Sequence, residues 1–457
     1  MTLRTVWRHS LFLLAVVLLG VQGCSHEEGG SHQDAAAYNN SGVALSKKGK
    51  HADACEKFAK AVEINPGLAE AYYNWGVALR SMGKAPEACE KYAKAVETNP
   101  RLADAYDNWG NALGLMGKHG EACEKHAKAV EINPRHANAY YNWGVALDAM
   151  GKAPEACEKY AKAVEINPRN AVAYSNWGAA LVAMGKPAEA CGKFAKAVET
   201  DPRYAKAYYN WGNALGRMGK PAEACEKYAK AVEIDPRLAE AYSNWGVALD
   251  AMGKPAEACE KFAKAVEINP RYAVAYSNWG NALGKAGKPA EACEKHAKAV
   301  EINPQDAVGY YNWGVELEEM GKHVEACEKC AKAIDINPRH ADAYFNWGNA
   351  LQKIGRPAEA CEKYAKAVGI DPRHANAYCG WGAALGLMGE PADACEKFAK
   401  AVEIDPRFAM AYSNWGIVLG NMGKTAEAIE KLDKAAALDP ALKGRVDDLR
   451  RELTGGK

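Results

Sequence analysis

Apolar and small residues recur along this chain in two alternating stripes of helical spacing. Within residues 69–102, Tyr72, Trp75, Gly76 and Leu79 fall on one face of a first segment, and Ala88, Tyr92, Ala95 and Val96 on one face of a second. Gly83-Lys84 follows the first stripe and Asn99-Pro100 the second. Glycine accepts a left-handed cap and proline cannot continue a helix, so the pattern predicts two amphipathic helices, each with its own stop. The block then repeats. Tryptophan falls at 75, 109, 143, 177, 211, 245, 279, 313, 347, 381 and 415, always 34 residues apart, and proline keeps the same step from Pro66 to Pro440. The units run from Ala35–Leu68 to Ala409–Leu442, twelve in all. Glycine holds the Gly76 position from Gly42 to Gly416, and alanine the Ala88 position from Ala54 to Ala428, which predicts a close approach of paired helices with aromatic rings beside it. One helix pair buries too little to stand alone, so the expected fold is an all-α stack stabilised by nearest-neighbour interfaces. After it, Leu442, Val446, Leu449 and Leu453 keep helical spacing, which predicts a capping helix over 443–457.

Composition changes this picture little. Lys plus Arg number 58 against 57 for Asp plus Glu, so net charge supplies no attraction to nucleic acid or to an anionic surface. The first residues are different in kind. Arg4 and Arg8 precede an apolar run from Leu11 to Val21, too short to span a bilayer and laid out as a secretory signal over 1–23. The run ends in Val21-Gln22-Gly23-Cys24, which resembles the bacterial lipobox and implies lipidation of Cys24, with 24–34 as lipidated cysteine and flexible tether. The alternative is a soluble secreted protein in which Cys24 merely follows the cut. By the same resemblance, Ser25 implies sorting to the outer membrane, facing the periplasm, rather than retention at the inner membrane.

Candidate chemistry is sparse. Cys55, Cys89, Cys123, Cys157, Cys191, Cys225, Cys259, Cys293, Cys327, Cys361 and Cys395 share one position, which the twelfth unit fills with Ile429. Isoleucine there marks the site as apolar, and packed helices stand about 8–10 Å apart, beyond the roughly 7 Å a disulfide tolerates. Buried free thiols are therefore expected. Cys327 and Cys330 form a C-x-x-C in which Cys330 replaces the aromatic found at Tyr92 or Phe262, which reads as drift within a duplicated unit, although the two are the best candidates for a local disulfide; Cys379 replaces a Ser or Tyr and is expected at the surface. Histidines are scattered: His126 and His296 take the aromatic position of the second helix, and His136, His340 and His374 the turn between units. No zinc-protease, nucleophile-elbow or phosphate-loop motif occurs. The recurrent Glu-Lys-x-Ala-Lys reads as exposed i,i+4 pairs such as Glu56 with Lys60. No catalytic residue, metal site or cofactor is expected; the rival readings are an enzyme with an unrecognised site and a thiol-rich metal or redox protein.

The 34-residue unit from Ala35 to Leu442 resembles the tetratricopeptide repeat, although that family usually has a large aromatic at Tyr72 and a leucine at Trp75. The resemblance implies a right-handed superhelical α-solenoid that holds proteins rather than transforming molecules. It also implies a groove along the stripe through Glu70, Tyr73, Asn74 and Val77. Its asparagine recurs as Asn40, Asn74, Asn108, Asn142, Asn176, Asn210, Asn244, Asn278, Asn312, Asn346 and Asn414, broken by Gly380. The amide both donates and accepts, so such a ladder suits an extended peptide backbone; equally, the amides could bond neighbouring helices. Beside it, Tyr73, Tyr141, Tyr209, Tyr311 and Phe345 alternate with Ser175, Ser243 and Ser277. The ladder is similar to that of the tetratricopeptide superhelix of O-GlcNAc transferases, whose catalytic domain has no counterpart here. The basic clamp of chaperone-binding relatives is not matched, since Tyr73, Asp107 and Tyr141 stand where its first lysine would be. Expected partners are envelope proteins, through extended segments, and the membrane, through the lipid; no nucleic acid.

Overall fold

The computed structural model describes residues 33–455, all helix and turn. The expected signal and Cys24 lie outside the described residues. A helix over 33–47 comes first, so the end of the expected tether is already helical. Helix pairs follow in order, as in Ala69–Ser81 with Ala85–Thr98 and Ala103–Leu115 with His119–Ile132. The chain divides into two compact units, one ending at Ile234 and the other beginning at Asp235. Each is a succession of such pairs. In the second, a short 3-10 turn at Pro440–Leu442 leads into the helix Lys443–Leu453, which buries Val446 and sets Leu453 against Gly420.

The helix ends have local causes. Gly83 has φ 76°, and beyond it the Lys84 N–H donates to the Leu79 carbonyl at 3.0 Å, satisfying a carbonyl the helix leaves open. At the other end of the pair, Asn99 Oδ1 accepts from the Arg101 N–H at 3.1 Å, a turn that Pro100 completes.

The core is built from the smallest residues meeting the largest. A Cβ on Gly76 would lie 2.6 Å from the Tyr92 ring, and one on Gly144 equally close to Tyr160. The glycine column is thus fixed by the ring of its own second helix, which lies directly on it rather than beside it. Ala88 and, from the next repeat, Ala112 are fully buried in the same cluster as Tyr92, while Ala78 packs with Phe58 of the repeat before. Tyr92, Tyr160 and Tyr364 are also fully buried. Tyr160 donates to Asp148 Oδ2 at 2.6 Å and Tyr364 to Asn349 Oδ1 at 2.8 Å, each on the first helix, whereas the Tyr92 hydroxyl is buried without a partner among the described residues.

The repeated lysines do not pair as expected. The first of them stacks on tryptophan: Lys91 Nζ lies 4.1 Å from the Trp75 ring centroid, and the contact recurs up to Lys431 over Trp415 at 4.7 Å. The second reaches forward by three, as in Lys94 to Glu97 at 2.7 Å. Cation–π attraction and the apolar lysine stem together cover an indole that would otherwise face water.

Candidate functional site

Asn40 is exposed, but from Asn74 onward the ladder asparagines lie half-buried on the first helices, with amides that reach the preceding repeat. Asn74 Nδ2 donates to Asn39 Oδ1 at 3.0 Å, Asn108 to the Tyr73 hydroxyl at 3.3 Å and Asn176 to the Tyr141 hydroxyl at 3.2 Å. Asn142 donates to both oxygens of Asp107 at 3.1 and 3.2 Å, and Asn414 to Cys379 Sγ at 3.8 Å. Asn346 bonds the Tyr311 hydroxyl, while Asn312 turns to Asn281 Oδ1 at 3.0 Å. Asn210, Asn244 and Asn278 occupy the same half-buried position. The usual partner sits 35 residues back, at the variable position beside the ladder. Each such bond fixes the register between neighbouring repeats and takes one N–H. Among the described residues, Oδ1 of Asn74, Asn142 and Asn176 accepts no hydrogen bond.

The variable aromatics are half-buried too. Tyr73 tilts against Tyr92 with centroids 6.2 Å apart, Tyr141 against Tyr160 at 6.0 Å, Tyr209 against Tyr228 at 6.3 Å and Phe345 against Tyr364 at 6.1 Å. Tyr311 and Phe345 each meet a turn histidine of the next repeat, His340 at 4.8 Å and His374 at 5.0 Å. These rings present one edge to the ladder face and root the other in the core.

Three cavities open beside the ladder. In the first unit, one of about 470 Å³ is lined by Asn142 with Arg80, His119 and His126. His126 Nδ1–H donates to Asp107 Oδ1 at 2.9 Å, and both residues are buried, at 2% and 5% exposure. In the second unit, one of about 430 Å³ is lined by Asn278, Asn312 and Tyr311 with Glu316 and Glu319. Another of about 380 Å³ is lined by Asn346 with Glu318, Glu319 and His323. His323 pairs with Glu318 at 2.6 Å. Burial pushes the Glu316 carboxyl up to about 7. The sequence reading missed Asp107–His126 and Glu316. Glu316 did leave a sign, because alanine fills its position at Ala248, Ala282 and Ala350.

The thiols form no built reactive centre. Those of the repeated column form no disulfide and are half-buried rather than fully buried, because each lies at the joint between repeats, as Cys89 does under the indole N–H of Trp109. Cys327 and Cys330, the best candidates for a local disulfide, are free as well: Cys330 is buried facing Gly314, whereas Cys327 lies toward Trp347. Cys379 is buried rather than exposed, because it takes the groove position that Asn414 covers. Desolvation raises the Cys330 thiol to about 12 and Cys379 to about 11, so both hold little thiolate near neutral pH. Among the described residues, no three or more His, Cys, Asp or Glu side chains gather to hold a metal, and no helix is long and apolar enough to cross a membrane.

Comparison with known proteins supplies the family of these units. Three tetratricopeptide-repeat models match: one at 137–170, 205–238, 239–272 and 341–374, one at 35–68 and one at 70–101. These stretches of the chain match the tetratricopeptide repeat, and nearly every match begins on the frame set by Ala35. Among solved structures, similarity is found to YrrB, described as a tetratricopeptide protein with an unusual peptide-binding site, at 29% identity, TM-score 0.36, 41% of this chain and 96% of that one. The Cut9–Hcn1 complex of the anaphase-promoting complex matches at 12% identity, TM-score 0.47, 90% of this chain and 95% of that one. PilF of Pseudomonas aeruginosa matches at 20% identity, TM-score 0.41, 45% of this chain and 94% of that one. No curated protein matches in sequence.

Proposed function

We propose that these tetratricopeptide repeats form a non-catalytic scaffold of the bacterial cell envelope, anchored by lipid on Cys24, that holds an extended segment of a partner protein along the asparagine ladder. The observation that carries the reading is the set of cavities opening beside ladder residues, at Asn142, at Asn278 with Asn312, and at Asn346. Amide oxygens at a regular spacing suit the backbone N–H groups of an extended chain, and cavities between them suit its side chains. Valines on the same face, Val145 at 39% and Val247 at 44% exposure, offer apolar surface between the polar steps.

The envelope address rests on Arg4, Arg8, the apolar run to Val21, and Cys24 followed by Ser25. Labelled fatty acid is expected to enter the wild type and not Cys24→Ser, with the variant shifting to the soluble fraction; equal labelling of both would overturn the anchor.

The groove is tested by a photo-crosslinking residue placed in living cells at Val145 or at Lys94, which lies on the solvated face of a second helix. A partner band from Val145, absent from Lys94 and lost when Asn142 and Asn176 are replaced together by Ala, is expected. The same band from both positions would reject the groove. The Asn142 replacement also strips Asp107 of a donor, so helicity is measured alongside.

A further inference from the structure

We propose that the cavity beside Glu316 takes the cationic head of an arginine or lysine side chain from the bound segment, an inference that rests on the groove reading above. Glu316 is 7% exposed, in a column that holds alanine in the other repeats save the last, where it is Val418. Its carboxylate lies against Gly284, and any Cβ there would collide with Oε1, so the missing side chain makes the room. Oε2 is buried and has no hydrogen-bond partner among the described residues. A buried carboxylate without a partner is costly, and a charge-assisted hydrogen bond from a cation is the most effective relief.

The protein does not supply that cation itself. Lys285 lines the same cavity, but its Nζ is held by Asp250 Oδ2 at 2.6 Å. Glu319, exposed at the rim, adds a second negative charge. Val247, Val315, Tyr311 and Phe262 also line it, beside the ladder asparagines, which matches a ligand with an apolar stem and a charged tip. Burial holds the Glu316 carboxyl near 7, so a cation would pull it toward the ionised form. A bare metal ion fits less well: the third carboxylate of the cavity, Asp250, is paired with Lys285, and among the described residues no three His, Cys, Asp or Glu side chains gather to hold one.

The test uses full-length protein and three labelled ten-residue Ser/Thr/Gly peptides carrying Arg, Gln or Glu at the centre, followed by fluorescence anisotropy. The Arg peptide is expected to bind roughly tenfold more tightly than the Gln peptide, and the Glu peptide more weakly than both. Glu316→Ala, which restores the residue that neighbouring repeats already pack, is expected to erase the Arg preference, so that the Arg and Gln peptides bind alike. Equal binding of Arg and Gln peptides, or an Arg preference that survives Glu316→Ala, would overturn this inference while leaving the groove standing. Binding of none of the three would reject the groove and this inference with it.

Discussion

The repeats 103–136 and 273–306 differ instructively at one buried site. Both place histidine where most repeats have Tyr or Phe, and both set it on glycine: a Cβ at Gly110 or Gly280 would lie 2.6 Å from the ring of His126 or His296. In the first, Asp107 accepts from His126 at 2.9 Å and Asn142 closes the other side of the carboxylate. In the second, Ser277 stands where Asp107 would be, and both nitrogens of His296 are buried without a partner among the described residues. Desolvation then lowers His296 to about 4. The backbone and glycine are shared, so whether a core histidine finds a hydrogen-bond partner is set by the groove residue nineteen positions earlier.

The largest effect expected from this difference is acid sensitivity. His296 takes up no proton in the folded state until about pH 4, whereas unfolded histidine does so near 6.5. The unfolded chain therefore binds more protons in that window, and stability falls as pH drops from 6.5 toward 4, by about 3 kcal/mol for this site alone. His296→Phe, using the ring found at Phe262, should remove that part of the loss, read as the difference between urea midpoints of the two proteins across the window. Identical profiles would show that His296 is not held neutral.

Converting one repeat to the other comes next. Asp107→Ser should leave His126 as unpartnered as His296 and lower stability by about 1–3 kcal/mol. Ser277→Asp should raise the His296 titration, measurable by NMR of the imidazole protons.

A third, opposite pH dependence belongs to Glu316, whose folded value of about 7 lies above the ordinary 4.5. Its folded form binds more protons between those values, so stability drops as pH rises from 4.5 through 7. Glu316→Ala should stabilise the chain by about 1–3 kcal/mol above pH 7 and change little below pH 4.5.

The smallest expected effect checks that the two repeats are otherwise alike. Lys125 over Trp109 at 4.1 Å and Lys295 over Trp279 at 4.5 Å make the same contact, so either lysine replaced by Ala should cost about 0.5–1 kcal/mol. Unequal losses would place part of the difference outside the histidine site.

These particulars mark the limit of what the sequence carries. Period, helix stops and the glycine column were legible because each is a local or strictly recurrent rule, and Gly83 at φ 76° meets its rule. The face of the ladder was legible from spacing. Its hydrogen bonds were not, since Asn108 to Tyr73 joins different helix pairs and depends on the packing angle between them. Lys91 over Trp75 was hidden for the same reason, and the i,i+4 rule pointed its pattern at the wrong partner. Glu316 was visible as a break in an alanine column, but its burial became legible only with Gly284 opposite it.

The central claim, that the ladder grips backbone, is tested most directly by the affinity of the segment captured at Val145 after alternate backbone N–H groups are N-methylated. Backbone-led binding predicts a loss of at least about tenfold, or 1.4 kcal/mol, from methylation in one register, with the same methylated segment no weaker on protein carrying Asn142→Ala and Asn176→Ala. Unchanged affinity on methylation in either register would contradict it.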